Sequence, residues 1–110
     1  MKKYPFDLDG NQDPSESFRL CKQANKFITL KDGKLYTCPT IAYVNIFNKY
    51  FNKNMVVSEQ DSVNIYKIST KEQIVEKLSC PTMFCRYCDI RNIEKGLKWE
   101  TSNKKIFEWI

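Results

Sequence analysis

With 110 residues, 42% of them apolar and 14% aromatic, the chain has material for one modest core, and its buriable surface excludes disorder throughout. No apolar run approaches the ~20 residues of a membrane span, and the opening Met1-Lys2-Lys3-Tyr4-Pro5-Phe6-Asp7 sets no apolar stretch behind its lysines, so no secretory leader is expected and a soluble, cytoplasmic chain is. The net charge of +5 is scattered through every segment, which argues for a solvated surface and against the basic, aromatic-laced stripe of a nucleic-acid binder.

Residues 1–18, rich in Asp, Asn, Gly, Pro and Ser, read as a loop or linker ahead of a single domain over 19–110. A hairpin comes next. Asp32-Gly33 lies between the apolar-patterned stretches 27–31 and 34–37, and Asp-Gly suits a two-residue type I′ turn, whose central residues both need positive φ. That register pairs Lys31 with Lys34, Leu30 with Leu35, Thr29 with Tyr36 and Ile28 with Thr37. Phe27 then faces Cys38, so the second strand delivers Cys38 to the open end of the hairpin.

Pro39 and Thr40 open a helix reaching about Asn52, with a wide apolar face of Ile41, Val44, Ile46, Phe47, Tyr50 and Phe51. Cys38 thus falls beside a helix N-terminus, where partial positive charge favours a thiolate. Residues 52–61 are polar loop, and 63–66 a short strand. Ser69-x-x-Glu72 and Thr70-x-x-Gln73 both fit a capping box, which starts a helix with Ile74, Val75 and Leu78 as its buried stripe and Pro81 as its stop. A compact turn spans 84–89. The tail offers a strand at 97–100 and a last helix, started by Thr101 or Ser102, carrying Ile106, Phe107, Trp109 and Ile110. The fold class expected is α+β, a small hairpin-then-helix unit with two further helices.

The five cysteines, Cys21, Cys38, Cys80, Cys85 and Cys88, in a chain without histidine, are its most informative feature. An odd count argues against a closed disulfide framework, and any metal site must be built from sulfur, which suits zinc or an iron–sulfur cluster. In Cys85-x2-Cys88 the spacing lets both sulfurs address one metal. A thioredoxin-type dithiol would follow a strand and open a helix, whereas this pair follows Pro81 and precedes a polar loop. Cys21 and Cys38, separated by the hairpin, complete a candidate four-sulfur site that would staple the first third of the chain to the last. The competing reading makes those two merely small buried hydrophobes. Cys80-x4-Cys85-x2-Cys88 has the spacing of plant-type ferredoxins, but no further cysteine follows Cys88, so Cys80 is kept as a spare thiol or a substitute ligand.

Taken together, Cys21-x11-Gly33-x4-Cys38 and the later Cys85-x2-Cys88 resemble the opening part of the SPASM domain and of its shortened form, the twitch domain, the C-terminal auxiliary-cluster modules of radical S-adenosylmethionine (radical SAM) enzymes. The stretches 31–39 and 81–89, and the end from Trp99-Glu100-Thr101-Ser102 to Glu108-Trp109, carry the same likeness, which covers roughly residues 15–110. The resemblance implies a cluster-stapled fold in which Cys21, Cys38, Cys85 and Cys88 ligate one [4Fe–4S] cluster. The further cysteines of a full SPASM domain are missing after Cys88, so a single cluster is implied. It also implies a partner: a radical SAM catalytic domain, or its peptide or small-molecule substrate. The barrel and its catalytic cysteine loop lie outside this sequence, so the chain reads as a fragment or free-standing remnant with no catalysis of its own. The alternative is a four-cysteine zinc module for protein interaction. No nucleophile constellation supports a hydrolase.

Overall fold

The Asp32-Gly33 turn forms as its chemistry requires, with φ of 51° at Asp32 and 74° at Gly33. It joins β1 (Thr29–Lys31) to β2 (Lys34–Tyr36) with Thr29 opposite Tyr36, Leu30 opposite Leu35 and Lys31 opposite Lys34. The computed structural model describes residues 2–24, 26–68 and 70–110. Three of the expected pairs are present. The ladder stops at Thr29 and Tyr36, so the further pairs Ile28–Thr37 and Phe27–Cys38 are not part of it. On the other edge of β2, β3 (Ser62–Asn64) runs antiparallel, with Val63 opposite Leu35, giving a three-stranded sheet in the order β1-β2-β3. Its span sits a residue earlier than the expected 63–66, because the Asn64 side chain accepts the Tyr66 amide at 3.0 Å and turns the chain out of the sheet.

Helix α2 (Pro39–Phe51) begins with proline in its first turn and ends where Asn52 adopts a left-handed conformation, φ 51°. Ile41, Val44 and Phe47 are buried and form the core with Met55, Phe84 and Tyr87. The apolar face is narrower than expected: Ile46 and Tyr50 are 63% and 62% exposed. At 100° per residue they fall outside the stripe set by Ile41, Val44 and Phe47. Both chain ends close on this helix. The Phe6 ring meets Phe47 edge-on at 5.2 Å between centroids, and Trp109 meets Phe47 at 5.8 Å.

The lead-in departs from the loop or linker expected of it. Asp13 caps helix α1 (Pro14–Leu20) by accepting the Ser15 amide at 3.0 Å, with proline in the first turn. Ahead of it, Lys3 bridges Glu94 and Phe6 bridges Cys88, both antiparallel. Composition misled here; Asp13-Pro14 is a helix start embedded in polar sequence. Helix α3 (Lys71–Leu78) starts as the second capping box indicates, with the Thr70 hydroxyl accepting the Gln73 amide at 3.2 Å, while Ser69 lies outside the described residues. Its buried stripe reduces to Leu78, with Ile74 half-buried and Val75 exposed.

The tail is the largest departure. Residues 97–100 have no strand partner among the described residues, and Trp99 is 79% exposed. The expected last helix is one 3₁₀ turn, Ile106–Glu108, with the Glu108 carboxylate accepting the Lys105 amide at 2.8 Å. Neither Thr101 nor Ser102 starts a helix. Ile106 packs against the core and Phe107 stays exposed, so burial of alternate faces does not extend the turn. Among the described residues, three α-helices and one antiparallel sheet make an α+β fold. Among the described residues, no helix is long and apolar enough to cross a membrane.

Candidate metal centre

Three of the four candidate ligands sit where elements end, and the fourth lies inside a short turn. Cys21 follows the last turn of α1, and its amide bonds the carbonyls of Ser17 and Phe18. Cys38 is the residue before α2. Cys85 lies inside the 3₁₀ turn Met83–Tyr87, and Cys88 closes that turn, its amide donating to the Cys85 carbonyl at 3.1 Å. Element ends suit ligands, since they leave amides and short side chains facing one point without breaking a hydrogen-bond ladder.

Burial raises three of these four thiols. Burial pushes the Cys38 thiol above its ordinary value, the amides of Ile41 and Thr40 pull it back, and charge on Cys85 or Cys21 would raise it again. Burial likewise raises Cys85, against a lowering hydrogen bond from Thr82, with Cys21 and Asp61 adding upward pressure. Cys88 is raised most, by burial first and then by Cys85, Cys38 and Cys21. Cys38 thus does lie at a helix N-terminus whose amides favour the thiolate, but loss of solvent outweighs them. Cys38 and Cys88 pack against the same core, Cys85 lies in the turn that Cys88 closes, and Cys21 follows α1, whose Ser17 hydroxyl donates to the Cys88 carbonyl.

Cys80 stands apart. It is exposed, beyond the end of α3, and its thiol lies 3.3 Å from the Glu76 carbonyl.

All five cysteines are free thiols. Cys21 accepts the Gln23 amide at 3.4 Å, and the Cys85 thiol shares a hydrogen bond with the Thr82 hydroxyl at 3.3 Å. Among the described residues, no three cysteine, aspartate or glutamate side chains are drawn close enough as they stand to hold a metal ion. The chemistry of the donor set nonetheless fits a thiophilic centre. Thiolates gathered from Cys21, Cys38, Cys85 and Cys88 would repel one another, and a cation or cationic cluster core would remove that repulsion.

Around the Cys85–Cys88 turn lie residues that the cysteine spacing does not reveal. The Ser17 hydroxyl, on α1, donates to the Cys88 carbonyl at 2.9 Å. From the lead-in, Asp7 donates its amide to Tyr87, Gln12 donates its amide to Arg86, and the Asp89 amide donates to Pro5. The Arg86 side chain returns a bond to the Gly10 carbonyl at 2.8 Å. Asp61, 1% exposed, accepts the Phe84 amide at 3.1 Å and the Ser58 amide at 2.8 Å. Ser58-x-x-Asp61 is itself a capping-box spacing, and Asp13-Pro14 a helix start, so both supports carried a local signal.

Comparison of the chain with protein-family models, with curated proteins and with solved structures finds no match.

Proposed function

We propose that this chain holds one [4Fe–4S] cluster through Cys21, Cys38, Cys85 and Cys88 and serves as the auxiliary domain of a radical SAM enzyme, as the SPASM and twitch resemblance implies. The observation that carries the reading is geometric: Cys38 and Cys88 pack against one core, Cys85 shares the 3₁₀ turn that Cys88 closes, and α1, which ends at Cys21, is tied to the Cys88 carbonyl through Ser17. Bound, the cluster would supply electron relay, or, if one iron lacked a protein ligand, a point of attachment for a substrate group. The chain's own part is to bring the sulfurs together, keep them away from bulk water, and point helix and turn amides at them. The Thr40 and Ile41 amides act on Cys38, and Thr82 acts on Cys85.

The test is anaerobic purification followed by iron, sulfide and zinc analysis. About four irons and four sulfides per chain, with a brown colour and broad absorption toward the blue, are expected. One zinc per colourless chain, also after iron and sulfide are supplied, would replace the cluster reading with the zinc interaction module, since four thiolates suit that ion equally well.

A further inference from the structure

Asp61 is a carboxylate taken almost entirely out of water, 1% exposed, with no cationic side chain paired to it among the ion pairs of the described residues. Burial of that kind is costly unless hydrogen bonds replace the lost solvent. They do. One carboxylate oxygen accepts the Ser58 amide at 2.8 Å and the Ser58 hydroxyl at 3.2 Å; the other accepts the Phe84 amide at 3.1 Å. Phe84 immediately precedes Cys85 and is itself 1% exposed. The carboxylate therefore grips the 3₁₀ turn that carries two of the four candidate ligands, from a segment 23 residues away. An amide or hydroxyl side chain in its place would offer fewer acceptor sites for these three donors. Its charge also reaches the Cys85 sulfur.

We propose that Asp61 is a positioning residue of the thiolate centre: it fixes the Phe84–Cys85 backbone so that Cys85 and Cys88 face a common ligand, with its carboxylate held on the amide of the residue before Cys85. This rests on the metal-binding reading above. Outer partners of metal ligands act in this way, orienting the ligand and tuning the bound metal's electronics.

The experiment compares wild type with Asp61→Asn, each titrated with cobalt(II) and each reconstituted anaerobically with iron and sulfide. Wild type is expected to give thiolate–cobalt bands and a cluster. Asp61→Asn is expected to bind cobalt roughly 10–100-fold more weakly, and its cluster potential is expected to move positive, since adding an electron beside a lost negative charge becomes easier. A carboxylate that served the fold alone would lower the melting temperature and leave the potential in place; an unshifted potential with unchanged cobalt affinity overturns the inference. If Asp61→Asn does not fold, Ser58→Ala loosens the carboxylate from its far side and keeps its charge. Weaker cobalt binding is then expected, and unchanged affinity overturns the inference. Wild type that binds neither cobalt nor cluster instead sinks the metal-binding reading on which this rests.

Discussion

Ser17 and Cys88, 71 residues apart, are joined by a 2.9 Å hydrogen bond from the serine hydroxyl to the cysteine carbonyl. Ser17 is 5% exposed and sits one turn before Cys21, whose amide in turn bonds the Ser17 carbonyl at 3.0 Å. One small residue thus links a candidate ligand on α1 to another on the 3₁₀ turn. Ser17→Ala leaves the Cys88 carbonyl short of its donor in a poorly hydrated place, and a loss of about 1–3 kcal/mol of unfolding free energy is expected. Urea denaturation of the metal-free chain measures it. A loss below about 0.5 kcal/mol would mean that water replaces the hydroxyl.

The cysteines divide into two classes. Cys38→Ser, Cys85→Ser and Cys88→Ser are expected to abolish cluster or metal loading, because a serine oxygen is a poor ligand for a thiophilic centre. Cys80→Ser is expected to leave loading intact, its thiol being exposed beyond the end of α3 and bonded to the Glu76 carbonyl. Iron, sulfide and zinc per chain decide the matter. Equal damage from Cys80→Ser, with none from Cys21→Ser, would overturn the ligand set.

The raised thiols give the metal-free chain a definite pH response. Their folded pKa values lie above the unfolded cysteine value for Cys38, Cys85 and Cys88, burial being the first cause in each. The unfolded chain therefore releases these protons first, from about pH 8.5 upward. The stability contributed by burying neutral thiols is complete below that pH and is lost as pH rises toward the folded values. With a chelator present, the urea midpoint is expected to fall from about pH 7.5 to about pH 10. Replacing all three cysteines by alanine is expected to flatten that slope. An equal slope in the triple variant would assign the response to other groups.

Gly10 adopts φ +66°, and a Cβ there would lie 2.7 Å from the Arg86 Nε and 2.8 Å from the Tyr87 ring. Gly10→Ala is expected to cost about 1–3 kcal/mol, from the left-handed backbone and from pushing Arg86 off the Gly10 carbonyl. Because Arg86 lies between Cys85 and Cys88, loading should fall along with stability. Thermal unfolding and metal content, measured on the same preparation, test this; a variant with unchanged melting and loading would show that the lead-in does not support the turn.

What could be read from the sequence follows from interactions between near neighbours in the chain. Asp32-Gly33 needs two positive φ angles and therefore fixes the hairpin register by itself, and Pro39 with the Ile41, Val44, Phe47 spacing is enough to place α2 and set Cys38 at its start. Thr70 capping the Gln73 amide is equally local. The tail shows the limit: Leu97-Lys98-Trp99-Glu100 has strand chemistry, but a strand exists only when another edge accepts its hydrogen bonds, and none of the described strands does. Tertiary structure alone decided that residues 3–12 wrap the cysteine turn and that Asp61 reaches Phe84. Each depends on partners dozens of residues away, and no spacing rule ranks such partners, because the cost of closing a loop grows only slowly with its length. Residue type marked the sulfurs as candidate ligands; only the folded chain decided that Cys38 and Cys88 pack against one core while Cys80 stays exposed.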